Sequence, residues 1–204
     1  MTLINEAKGV IVGPFAAVLV IDTGANTVVN AGLILGRGSG GVTIQSAVNN
    51  SGRLEADGGV LTVNGAVGGS GEGLIDGGTL DFASSFTQRV IFTGTTGVLE
   101  LGQSQGYTGA VFGFSKTGGT SLDLRDIGFV SSTEATFKGS ASGGTLTIND
   151  GTHTARITLK GDYRSSIFSA SSDGHGGTIV VDPRAPAAAH RLIAAAASLG
   201  AGGG

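Results

Sequence analysis

The sequence predicts an all-β chain wound as a right-handed parallel β-helix, a solenoid of about seven or eight coils and roughly 35–40 Å long. Three observations predict it. First, residues 40–101 line up on themselves at a step of 19. Gly40, Gly59, Gly78 and Gly97 form one column, Val42, Leu61, Leu80 and Leu99 a second, and Ile44, Val63, Phe82 and Leu101 a third. Val48, Val67 and Phe86 repeat at the same step. A fixed period near 20 is the signature of stacked repeats. Second, the two apolar columns bracket a polar one, Thr43, Thr62, Asp81 and Glu100. Apolar, polar, apolar is the period of a strand with one buried face. Third, glycine supplies 39 of 204 residues and charged residues only 13%. That composition suits sharp corners around an interior of small aliphatic side chains.

A coil this short cannot bury a core alone. Stacked coils place like residues above one another at about 4.8 Å, the spacing of hydrogen-bonded strands. Stability then becomes a sum of neighbour terms along the stack. A glycine-rich disordered chain would not hold its apolar residues in phase over four rungs.

In chain order, residues 9–21 form the most apolar run, and Pro14 interrupts it. At 13 residues it is too short to span a membrane. Glu6 before it, and the lack of a small-x-small cleavage site after it, argue against an export leader. Two strands, near 10–12 and 18–21, are the better reading, and they begin the first coil. Asn26, Asn30 and neighbouring glycines then punctuate strands at 28–29 and 33–35. Three strands per coil is the simplest arithmetic for 19 residues.

Beyond Leu101 the motif returns at Leu122 and Leu124, at Leu146 and Ile148, and at Ile179 and Val181, with steps of 23, 24 and 33. The longer steps require inserted loops or hairpins. Residues 135–150 and 152–163 read as strands joined through Asn149, Asp150 and Gly151. Residues 166–182 read as another pair turning at Asp173 and Gly174. This end is either a wider solenoid or a capping sheet. Residues 1–183 thus read as one β-helix. Within it, rungs are regular over 40–101 and longer over 102–183. Residues 184–204 form an Ala-rich helix and a Gly tail, with Pro183 and Pro186 where a helix could start. That helix would dock over the last rung or act in export.

Composition also narrows function. The net charge of −3, with no basic run, argues against a nucleic-acid partner. Zero cysteines exclude disulfide and thiolate chemistry. His153, His175 and His190 stand alone in sequence, without metal-site spacing. No serine lies in a nucleophile elbow. GRGSGG at 36–41 lacks the lysine of a phosphate loop and reads as a corner. GGSGEGLID at 68–76 resembles one copy of the Ca²⁺-binding nonapeptide of secreted toxins and proteases, with Glu72 where Asp is expected and no second copy beside it.

The sharpest candidate site is the acidic column Asp81, Glu100 and Asp123. These three fall between inward apolar residues, so they point outward on one face at neighbouring rungs, with Arg125 and Asp126 nearby in sequence. Carboxylates that close repel unless a cation or a proton relieves them. The column is therefore a candidate Ca²⁺ site, built of oxygen ligands, or a candidate acid–base site acting on a sugar. The competing reading is a solvated face that keeps the solenoid in solution, since Thr43, Thr62 and Thr147 occupy other rungs.

The stretches DTGANTVVNAG and GGVTIQSAVNNSGRLEADGGVLTVNGAVGGSGEGLIDGGTLDF resemble the passenger repeats of bacterial autotransporters and related haemagglutinin-like adhesin exoproteins. The later stretches TGVLELGQSQGYTGAVFGFSKTGGTSLDLRDI, GGTLTINDGTHTARITLKGDY and DGHGGTIVVDP resemble a module near the ends of such large proteins. Together they cover roughly residues 20–183. The resemblance implies a secreted or surface-displayed bacterial protein acting as a non-enzymatic structural or adhesive rod. Its partner would be a host or cell-surface protein or a polysaccharide, met at the face and at the segment 102–118. The chain departs from a full autotransporter in lacking the strand series of a membrane β-barrel. The alternative is a carbohydrate-active β-helix enzyme, a lyase or hydrolase, using the acidic column. Open strands at either end invite end-to-end homo-oligomers if residues 187–199 do not cap.

Overall fold

Short strands follow one another around three faces, and each coil begins again where the last one began. The computed structural model describes residues 1–183. The expected C-terminal helix and His190 lie outside the described residues. Coil 1 holds β1 (Ile4–Asn5), β2 (Val10–Val12) and β3 (Leu19–Ile21). Coil 2 holds β4 (Val28–Asn30), β5 (Leu33–Arg37) and β6 (Val42–Ile44). Coil 3 holds β7 (Val48–Asn50), β8 (Arg53–Asp57) and β9 (Val60–Val63). Coil 4 holds β10 (Val67–Gly68), β11 (Glu72–Asp76) and β12 (Thr79–Phe82). Coil 5 keeps two strands, β13 (Arg89–Phe92) and β14 (Gly97–Leu101). Its first face is a single bridge from Phe86 to Val67. Coil 6 opens with a 3₁₀ turn at Ser104–Gly106 and continues through β15 (Ala110–Phe112) and β16 (Thr120–Leu124).

The stack therefore has about six coils, not seven or eight. The reason lies in the strands after β16. β17 (Ala135–Ser140), β18 (Gly143–Asn149) and β19 (Thr154–Lys160) form an antiparallel set, and β19 joins β15 in parallel. β20 (Ser169–Ser172) and β21 (Thr178–Val181) form a hairpin laid antiparallel on β16. These later strands close the second and third sheets instead of adding coils. The GGT motif thus changes role. Leu146 and Ile148 belong to β18 in the second sheet. In β21 it is Val180 and Thr178 that pair with the inward Leu122 and Leu124, while Ile179 stands beside Asp123. Reversed strand direction shifts which residues face inward. Thr147 sits opposite Thr136 and Arg156, away from the third sheet.

The regular rungs behave as their period demands. Val42, Leu61, Leu80, Leu99 and Leu122 pair rung to rung, and so do Ile44, Val63, Phe82, Leu101 and Leu124. All ten are buried. In the second sheet the inward column Ile34, Leu54, Gly73, Val90, Val111 and Leu159 runs the same way. Gly73 interrupts it because the side chains of Leu80 and Val90 fill that space. A Cβ there would meet Leu80 at 2.9 Å and Val90 at 3.3 Å. The Phe86 ring stacks on Phe82 at 3.7 Å and faces Tyr107 at 5.9 Å. The segment 102–118 contributes Tyr107, Val111 and Phe114 to the core and leaves Gln103, Gln105, Thr108 and Lys116 exposed.

Corner glycines divide two tasks. Gly58 and Gly77 take φ of +59° and +70°. Their neighbours Gly59 and Gly78 are held by close approach. A Cβ on Gly78 would lie 2.3 Å from the carbonyl oxygen of Gly59.

A polar ladder stands inside the first corner. Asn5 Nδ2 donates to Asn30 Oδ1 at 2.7 Å, and Asn30 Nδ2 to Asn50 Oδ1 at 2.7 Å. Coil 4 has Gly69 at this position. Gln88, one coil further on, reaches back across the gap. Asn50 Nδ2 donates to Gln88 Oε1 at 2.8 Å, and Gln88 Nε2 donates to the carbonyls of Asn50 and Gly68 at 2.9 and 2.8 Å. Asn5, Asn30, Asn50 and Gln88 are all buried. Buried amides satisfied in this way fix register, because a one-residue slip would orphan every one of them.

Candidate functional site

The acidic column is built by register. β9, β12, β14 and β16 pair in parallel so that Thr62, Asp81, Glu100 and Asp123 stand side by side. Each lies between two buried residues of its own strand and so projects from the outer face of the third sheet. The three sequence-predicted carboxylates are therefore brought together. Thr43 and Val20 extend the same column toward coil 1.

Arg125 lies across this column. The backbone N–H of Arg125 bonds Leu101, that of Gly102 bonds Phe82, and that of Ala83 bonds Val63. These bonds stack Ala83, Gly102 and Arg125 in one line beside the carboxylates. Ala83 and Gly102 carry almost no side chain, so the long stem of Arg125 lies down over coils 5 and 4. Its Nε stands 3.1 Å from Glu100 Oε1. Its terminal nitrogen bonds Asp81 Oδ1. One guanidinium thus bridges two rungs below its own. A fork of fixed donors is suited to that task, and a lysine is not.

Asp123 is left out of this pairing, and its Oδ1 is buried with no hydrogen-bond partner among the described residues. The turn between β20 and β21 overhangs it. There Asp173 accepts the backbone N–H groups of His175 and Gly177 at 2.6 and 2.8 Å. Partial burial pushes the Asp81, Glu100 and Asp123 carboxyls above the usual carboxylate range. For Asp81, Arg125 and a hydrogen bond from Thr62 oppose the rise. For Glu100, the Asp81 charge adds to it. For Asp123, the neighbouring Asp173 charge adds to it. Desolvation and like charge both favour the neutral acid. Sequence reasoning missed Asp173 and His175 as parts of this site. The spacing of later rungs hid them, because the hairpin folds back antiparallel.

Asp126, adjacent in sequence, serves elsewhere. It accepts the backbone N–H of Ser104 at 2.9 Å and that of Gln105 at 3.2 Å, holding the start of coil 6. Glu72 of the nonapeptide-like stretch is taken up by arginines. Its oxygens lie 3.1 Å from Arg53 Nε and 2.6 Å from an Arg89 nitrogen. His153 pairs with Asp150 at 2.9 Å in the β18–β19 turn. Among the described residues no three His, Cys, Asp or Glu side chains are gathered so as to hold a metal ion. Among the same residues no helix is long and apolar enough to cross a membrane.

No family model matches this chain, and neither does any curated protein or solved structure.

Proposed function

We propose that this chain is a non-enzymatic structural and adhesive module of a secreted or surface-displayed bacterial protein. It would carry polar surfaces to a partner on a stiff stack of coils. One observation carries the reading. The most reactive-looking group of side chains, the acidic column, is already bridged by Arg125 of the same chain, at 3.1 Å from Glu100 and in contact with Asp81. Carboxylates held this way stitch neighbouring rungs together through one shared guanidinium. The partner class is a cell-surface protein or a polysaccharide, and the resemblance to passenger repeats supports that choice. Bacterial export fits a chain with no cysteine.

A second reading has one observation in its favour. Asp123 keeps a buried, unpaired oxygen beside two other carboxyls with raised proton affinity. Perturbed carboxyls on neighbouring rungs are what acid–base cleavage of a glycosidic bond requires. In that reading Asp123 would be the proton donor, and Glu100 its partner carboxylate.

One experiment separates the two. The chain is incubated with a panel of neutral and acidic polysaccharides, while binding to the immobilised glycans and new chain ends are both measured. The display reading expects retained binding to a surface component and no new ends. New ends that vanish in Asp123→Asn would establish the enzyme and overturn the display reading.

A further inference from the structure

We propose that the open edge of coil 1 is a docking surface for another β-coil, laid on in parallel and carrying a side-chain amide at its ladder corner. Four observations converge on it.

β1, β2 and β3 are each the last strand of their sheet, paired on one side only. The amides of Val29, Ala31 and Leu33 bond the carbonyls of Leu3, Asn5 and Gly9. Alternate residues, Ile4, Val10, Val12 and Val20, therefore turn their backbone groups to the open side.

The inward residues of coil 1 are the same in kind as those of coil 2, yet three of them are only partly buried. Leu3, Ile11 and Leu19 pack only partly against the core. Their partners one coil on, Val28, Ile34 and Val42, are 0%, 0% and 2% exposed. The difference is one missing layer of neighbours.

The apolar rim is concentrated here. Ile4, Val10, Phe15, Val18 and Val20 are 56%, 60%, 72%, 53% and 56% exposed. The positions paired with Ile4, Val10 and Val12 are Val29, Leu33 and Leu35 on coil 2 and turn polar on coil 3, as Asn49, Arg53 and Glu55, while Val20 is followed by Thr43 and Thr62.

The amide ladder has a direction. Each asparagine in it donates to a side-chain oxygen of a later coil, and Gln88 at the far end donates back to the Asn50 and Gly68 carbonyls. Asn5 is only 5% exposed, and it donates to Asn30 and to the Leu33 carbonyl. No hydrogen bond reaches its Oδ1 from the described residues. The ladder thus ends on an acceptor at the open edge, ready for one N–H from below. An occupant that covered this oxygen without a donor would bury an unmet polar group, so a fitting occupant brings an amide.

These features select the occupant. A two-fold copy docked edge to edge would set Asn5 Oδ1 against Asn5 Oδ1, acceptor against acceptor. A copy docked head to tail would offer the antiparallel strands β17 and β20 rather than a parallel coil. A parallel coil of about 20 residues, built like coils 2 and 3, meets every group at once: strand edges, apolar columns and the acceptor. This is strand addition repeated on three faces.

The test adds such a coil to the full chain. Residues 28–47 are copied in place of Met1 and Thr2, so that the copied Val28 falls under Leu3 and the copied Asn30 under Asn5. The proposal expects amide hydrogen exchange in β1, β2 and β3 to slow at least about tenfold, with unfolding shifted up by several degrees. The same addition carrying Asn30→Leu in the copied coil loses most of that protection. If the added residues exchange freely and β1–β3 do not change, the proposal fails. It also fails if the unextended chain forms a concentration-dependent dimer that itself protects β1–β3, since a second copy would then be the occupant.

Discussion

Gln88 and Asn50 meet at 2.8 Å although 38 residues, two coils of chain, separate them. The intervening coil has Gly69 where an amide would stand, and the longer Gln side chain spans the vacancy. Its Nε2 also holds the carbonyls of Asn50 and Gly68. Gln88→Ala removes all three of these interior hydrogen bonds. The expected cost is about 2–4 kcal/mol in chemical denaturation, from the unmet amide and carbonyls together. Asn49→Ala, on the exposed side of the same strand, is expected within about 0.5 kcal/mol of the parent.

The corner glycines give a second prediction. A Cβ on Gly78 would lie 2.3 Å from a backbone oxygen of the coil below, whereas a Cβ on Gly68 meets nothing within 4 Å. Gly78→Ala must push two coils apart and is expected to cost about 1–3 kcal/mol. Gly68→Ala is expected to be neutral or slightly stabilising, because it restricts the unfolded chain. Thermal unfolding of the pair compares close approach with mere glycine content.

The carboxyls predict a pH dependence with two opposing parts. Asp123 has a raised folded-state proton affinity, from burial first and then from Asp173. The folded protein therefore binds its proton more tightly than the unfolded chain. Stability from this group falls as pH rises from the ordinary carboxylate value, about 4, through its raised folded value. Asp150 behaves oppositely. Hydrogen bonds, chiefly from the His153 backbone, hold its carboxyl well below the usual range. Its contribution is present above about pH 4 and is lost as pH falls toward its folded value. Asp123→Asn should flatten the decline above about pH 4 and raise stability at pH 7 by less than about 1 kcal/mol, given its partial exposure. Asp150→Ala should do the reverse, losing stability at neutral pH and freeing the β18–β19 turn to exchange.

Much of the stack is legible in the order of residues alone. The triplets at 42–44, 61–63, 80–82 and 99–101 announce their faces, because a period of 2 set inside a period of 19 leaves one arrangement. The acidic column follows from the same arithmetic. The amide ladder is harder to see. Asn5, Asn30, Asn50 and Gln88 are spaced by 25, 20 and 38, so coil 1's longer loops and the skip at Gly69 break the period. Arg125 reads only as a neighbour of Asp123 in sequence. Its reach to Asp81 depends on Ala83 and Gly102 being small, which is a property of the stack and not of one strand. The closing strands defeat extrapolation for a different reason. GGTLTI and GGTIVV keep the apolar alternation of a rung, but alternation does not encode strand direction.

Arg125 is the point on which the account of the site turns. The measurement that tests it most directly is the unfolding midpoint of the parent and of Arg125→Gln between pH 4 and pH 7. The account predicts that the two converge near pH 4, where the column takes up protons. They should separate steadily above it, until the variant is weaker by about 1–2 kcal/mol at pH 7. Adding Asp81→Asn and Glu100→Gln to the variant should recover most of the loss. Parallel curves, or no recovery, would contradict it: the column would then be held apart by something other than this guanidinium, and its carboxylates would be free for a ligand.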